Sequence, residues 1–154
     1  IGTLALSERG GMKSQLAIVT QAKIDARVAE RELAVVKKKL HFSDDALIYN
    51  AVDAASAGNI LSIQLGSAGV TEVIEAIGQR GVSAERVAGQ AVRAAQRYLK
   101  SDAVVGEHLC DQLLLPMALG KGGRFTTLKP TLHLRNRVTL SVSSLGSYRF
   151  IALR

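Results

Sequence analysis

The stretch SQLAIVTQAKIDARVAERELAVVKKKLHFSDDALIYNAV, residues 14–52, decides the fold class. Residues 14–21 hold an apolar run of strand length. Over residues 24–40 the apolar positions Ile24, Val28, Leu33, Val36 and Leu40 recur at helical spacing. Lys37, Lys38 and Lys39 fill the last turn, where the helix dipole favours cations. ALIYNAV, 46–52, returns to strand character. Strand and helix alternate, so the chain reads as mixed α/β.

Working outward, NILSIQL at 59–65 alternates apolar and polar and predicts another strand. Gly66 and Gly69 mark a turn before TEVIEAIG, 71–78, which fits either strand or helix. Ser83 is the expected N-cap of SAERVAGQAVRAAQRYLK. Its apolar face runs through Val87, Ala91, Ala94 or Ala95, and Tyr98, and Arg86, Arg93, Arg97 and Lys100 are its basic residues. A second helical stretch, VGEHLCDQLLLPMALG at 105–120, contains Pro116, which should bend it or end it nearby. Gly120, Gly122 and Gly123 connect it to a strand, GRFTTLK. Residues 134–145 fit two templates, with Leu134, Val138, Val142 and Leu145 at helical spacing and Val138, Leu140 and Val142 alternating. Their Val, Thr and Ser content favours strand. YRFIAL closes the chain as a strand.

The 154 residues suit one domain or two small ones, and 47% hydrophobic content allows a packed core. No run of about 18 uncharged apolar residues occurs, so no membrane span is expected. Cys110 is the one cysteine, which excludes an internal disulfide and a four-cysteine zinc site. A reducing, cytoplasmic location is expected (nuclear in a eukaryote), with no signal peptide. Ile1 in place of a Met suggests a start inside a longer protein. Residues 1–77 carry 8 Lys/Arg against 9 Asp/Glu, and residues 78–154 carry 12 against 4, net −1 and +8. A basic half beside a neutral one suits an anionic partner such as RNA or nucleotide phosphates, or a solubilising surface. The charge shift puts a domain boundary near residues 76–82. Few aromatics are available for base stacking. No Walker loop, GxGxxG or zinc-spaced cluster is present.

Five phrases together resemble the RNA 3'-terminal phosphate cyclase family. They are ERG at 8–10, RVAERE at 27–32, GVSAERVA at 81–88, VGEHLCDQLLLPMAL at 105–119 and FTTLKPTLHL at 125–134. They follow the family's order and approximate spacing, and Val105–Leu119 is the most specific block. The resemblance implies a chain equivalent to the C-terminal half of the family's proteins. It implies a large domain of βαβαββ repeats, similar to the C-terminal domain of translation initiation factor three, with a small α/β domain inserted. By that likeness residues 8–77 are the inserted domain and 78–154 the closing part of the large domain. It also implies a helix after His133, against the local strand propensity.

The family's reaction supplies the expected function, cyclisation of an RNA 3'-phosphate to a 2',3'-cyclic phosphate. ATP is the cofactor, and a histidine–AMP phosphoramidate is the intermediate. By the resemblance His133 is the nucleophile; from the residues alone it is either a reactive imidazole or a histidine held in a loop. Asp111 and Gln112 match the family's nucleotide contacts, a carboxylate and an amide suited to ribose hydroxyls and adenine edges. His108 departs from a family tyrosine; it offers a smaller ring for stacking on adenine. Asn136 and Arg137 stand where the family often has Thr-Asn. Arg124, Lys129, Arg135 and Arg137 are candidate RNA contacts, Arg135 and Arg137 being equally suited to solvent. A divalent metal, the phosphate-binding basic residues and part of the nucleotide pocket are expected from the missing N-terminal half, so the isolated chain is expected to be inactive. Alternative readings are a non-catalytic ribosome-biogenesis homologue, from whose branch the family histidine is absent, and a basic RNA-binding module.

Overall fold

Eight strands, two of them at the C-terminal end, and three α-helices are described by this computed structural model, which covers residues 3–119, 121–128, 139–142 and 148–151. The strands are β1 (Leu4–Leu6), β2 (Met12–Ala22), β3 (Leu47–Ala51), β4 (Gly58–Ser67), β5 (Thr71–Ile77), β6 (Gly123–Thr127), β7 (Thr139–Val142) and β8 (Tyr148–Ile151). The helices are α1 (Ala26–Leu40), α2 (Ala84–Lys100) and α3 (Glu107–Leu119). The strands form two four-stranded sheets, ordered β1-β6-β8-β7 and β3-β2-β4-β5. The described residues divide into two compact units. One comprises residues 1–12, 67–72 and 98–154; the other comprises 13–66 and 73–97.

The second unit carries out the reading of residues 14–52. Parallel strands cannot be joined by a tight turn, so α1 crosses over between β2 and β3, which pair in register from Ala17↔Leu47 to Gln21↔Ala51. Asp25 caps α1, accepting from the Arg27 N–H at 2.9 Å. The Arg27 guanidinium beside it lowers the Asp25 carboxyl to about 2. Ser83 caps α2 as expected, accepting the Arg86 N–H on its hydroxyl. The two helices run side by side in one direction. Arg31 pairs with Glu85 near their starts, and the Gln96 amide donates to the Lys39 carbonyl near the end of α1.

Alternation orients β4 and β5. Leu61, Ile63, Leu65, Ile74 and Ala76 are buried, whereas Ile60, Val73 and Ile77 are exposed. The ambiguous stretch 71–78 is therefore strand, its period of two winning once β4 supplies a neighbour. Residues 73–97 belong to this unit, joining most of β5 to the start of α2. Helix α2 buries Val87, Ala88, Ala91, Val92 and Ala95, and its first fourteen residues belong to the same compact unit as the preceding sheet. A shift in surface charge carries no information about which apolar face meets which.

In the first unit, Val104, Val105, Cys110, Met117 and Phe125 form the core, with Leu4, Leu6, Val70, Leu109 and Leu113 packed against them. β1 lies parallel to β6 from Leu4↔Gly123 to Leu6↔Phe125. That approach requires a glycine, since a Cβ at Gly123 would stand 2.1 Å from the Leu4 carbonyl oxygen. β8 is antiparallel to both β6 and β7. Helix α3 runs through Pro116 and ends three residues beyond it, at Leu119, near the proline as expected. Its anchors Leu109, Cys110, Leu113 and Met117 hold the helix on both sides of the lost backbone bond. The two-template segment is strand over Thr139–Val142, matching the local propensity. The helix implied after His133 lies outside the described residues up to residue 138. Among the described residues no helix is long and apolar enough to cross a membrane.

Candidate functional site

Helix α3 carries the expected nucleotide-contacting residues. A helix brings positions i, i+3 and i+4 to one face, so His108, Asp111 and Gln112 share a face within about one turn. His108 and Gln112 are exposed and Asp111 is half-buried. The opposite side of the same turns is buried. Cys110 is fully inaccessible, and its burial pushes the thiol up to about 11, which makes it a packing residue. The exposed stripe continues through Leu115 and Leu119. Its first turn is polar and its last is apolar, the mixture a heterocycle with a ribose attached would use.

The start of α3 is built from residues distant in sequence. Tyr98 is buried and its hydroxyl donates to the Val104 carbonyl oxygen at 2.9 Å. Desolvation raises this hydroxyl to about 12. Arg9, the centre of the ERG phrase, lies over the Tyr98 ring at 4.3 Å. It donates to the Tyr98 carbonyl oxygen at 3.1 Å and to that of Ser101. Glu72 is buried, and its carboxylate accepts the Gly106 N–H at 2.9 Å. Burial raises its carboxyl above the usual range, opposed by the Gly106 N–H and by the charges of His108 and Arg9.

Arg124 lies on β6, exposed. It lines an open cleft of about 200 Å³ with Leu6, Ser7, Phe125 and Thr126. The Thr126 hydroxyl is bonded within the unit to Val104 and Asp102, which leaves the Arg124 guanidinium and the Ser7 hydroxyl as the groups of this cleft suited to a phosphate oxygen. The structure thus brings His108, Asp111 and Gln112 together on one helix and places Arg124 on the same unit's sheet. His133, Lys129, Arg135, Asn136 and Arg137 lie outside the described residues. Among the described residues no three His, Cys, Asp or Glu side chains converge on a point where a metal ion would be held.

Arg9, Glu72 and Gly106 were not among the expected site residues. A faint signal existed for Glu72: it breaks the apolar side of an alternating strand, in step with Ile74 and Ala76.

Comparison with known proteins bears directly on α3 and on the unit preceding it. The family model for the RNA 3'-terminal phosphate cyclase insert domain matches residues 7–100, a span that includes α2. The RNA 3'-terminal phosphate cyclase of Ectopseudomonas mendocina (strain ymp) is 44% identical over 136 residues. That alignment covers 88% of this chain and 40% of the relative, so the chain spans well under half the relative's length. By the insert-domain match, supported by the relative that carries the family's name, this chain belongs to the RNA 3'-terminal phosphate cyclase family.

Proposed function

We propose that this chain is the C-terminal portion of an ATP-dependent RNA 3'-terminal phosphate cyclase, with residues 8–77 as the inserted domain and 78–154 as the closing part of the large domain. The observation that carries the reading is the shared face of His108, Asp111 and Gln112 on α3 in a member of that family. His108 offers a ring face to adenine, while Asp111 accepts hydrogen bonds and Gln112 can accept or donate them at ribose hydroxyls and the adenine edge.

His133 is the nucleophile in this reading. An unprotonated ring nitrogen attacks the α-phosphorus of ATP; the N–P bond forms and the bond to pyrophosphate breaks. Imidazole offers the free base near neutral pH. The RNA 3'-phosphate then takes the AMP, and the histidine leaves. The neighbouring 2'-hydroxyl attacks that activated phosphate, loses its proton and expels AMP, closing the 2',3'-cyclic phosphate. Each displacement has a better leaving group than direct cyclisation would have. Arg124, Lys129, Arg135 and Arg137 serve the RNA backbone. A divalent metal would be held mainly by the rest of the parent protein. The remaining phosphate-binding groups belong to the rest of the parent protein.

The test uses the full-length protein containing this chain, with ATP and two RNA oligonucleotides differing only at the 3' end. A 3'-phosphate oligonucleotide is expected to become resistant to phosphatase, and a 3'-hydroxyl one to stay unchanged. Equal, salt-sensitive binding of both without cyclisation would replace this reading with a basic RNA-binding module.

A further inference from the structure

We infer that Glu72 is a positioning residue for the nucleotide face of α3, acting as a cap supplied from β5. This inference rests on the reading that α3 binds nucleotide. The Gly106 carbonyl accepts the Cys110 N–H at 3.0 Å, the first bond of the helix, so Gly106 is the N-cap residue. In a capping box, an acidic or amide side chain at the third helical position reaches back to the N-cap N–H. That position here is Leu109, which is committed to the core and has no acceptor. Glu72, 34 residues upstream, takes over the task at 2.9 Å.

Two further observations tie Glu72 to this place. Gly106 leaves no room for a side chain, because a Cβ would stand 2.0 Å from one Glu72 carboxylate oxygen and 2.6 Å from its carboxyl carbon. Glycine at 106 and glutamate at 72 are thus sterically matched. Arg9 is itself locked by two carbonyls and the Tyr98 ring, and its charge acts on the Glu72 carboxylate. Arg9 of the ERG phrase thus acts on the first turn of α3 through its charge on Glu72, and Glu72 through its bond to Gly106. His108 sits two residues beyond the N-cap, and Asp111 and Gln112 one turn further. Anchoring the cap anchors the presentation of all three, and negative charge at a helix start is favourable in itself.

The experiment uses the full-length protein and separates KM for ATP from kcat in adenylylation. Glu72→Ala is expected to raise KM for ATP about tenfold, the equivalent of one buried hydrogen bond, with kcat little changed. Glu72→Gln keeps an acceptor oxygen and is expected to restore KM. Gly106→Ala, which forces the carboxylate aside, is expected to behave like Glu72→Ala. A folded Glu72→Ala protein with unchanged KM overturns the inference. If that variant does not fold, an unchanged KM in Gly106→Ala overturns it equally. Amide hydrogen exchange over residues 106–109 reads the cap without nucleotide. Faster exchange in Glu72→Ala and wild-type exchange in Glu72→Gln are expected, and no change refutes the cap. A wild-type protein that takes no AMP refutes the proposed function alone, leaving the exchange result to judge the cap.

Discussion

Replacing Glu32 by glutamine should stabilise the second unit, and by an amount that depends on pH. Glu32 lies on α1 with no exposed surface. One carboxylate oxygen accepts the Asn59 amide at 2.7 Å, and the other is buried without a partner. Burial raises the Glu32 carboxyl, and the Asn59 bond only partly opposes this. A carboxyl raised on folding contributes stability that is full below its ordinary value of 4.5. That contribution is lost as pH rises through the raised value, because the buried group must then become charged. Glutamine keeps an acceptor for Asn59, replaces the unpartnered oxygen by a donor, and never ionises. At pH 9 the wild type must bury an ionised carboxylate, a cost glutamine never meets, so Glu32→Gln should gain on the order of 1–3 kcal/mol there. At pH 4.5 the difference should fall below about 0.5 kcal/mol. Asp25 and Glu85, each held down to about 2 by its arginine, stay charged at both pH values and do not confound the comparison. The assay is urea unfolding followed through the NMR signals of residues 58–66 of β4, which belong to the second unit. A gap that is absent at pH 9, or equally large at pH 4.5, would refute the reasoning.

Two further outcomes are expected. Tyr98→Phe removes the buried bond to the Val104 carbonyl and should cost about 1 kcal/mol, lowering the melting temperature by about 2–4 °C in calorimetry. The isolated 154-residue chain, incubated with labelled ATP and a divalent metal, should form no acid-labile adenylate on a denaturing gel.

The local elements were legible because periodicity and capping are local. The strand expected at 14–21 is Met12–Ala22, and the helix expected at 24–40 is Ala26–Leu40. Ser83 caps α2 where its residue type said it would. Long-range choices were not legible. Nothing near residues 71–78 says strand until β4 lies beside them, and nothing in the charge pattern says that α2 packs with the earlier sheet. Pro116 was given its propensity and the helix ends near it, while the buried residues flanking it carry the helix to Leu119. On α3 the spacing of His108, Asp111 and Gln112 was readable, since three and four residues make one turn. The partner of Gly106 was not, because a bond between residues 72 and 106 leaves no periodic trace. Glu32 left a hint of its own, an acid in step with Val28 and Val36, whose cause appears only when Asn59 arrives on β4.

The most direct test of the account is adenylylation of the full-length protein with α-labelled ATP, wild type against His133→Ala. The account predicts an acid-labile, alkali-stable adenylate on the wild type and none on the variant. An adenylate of equal yield on His133→Ala would contradict it.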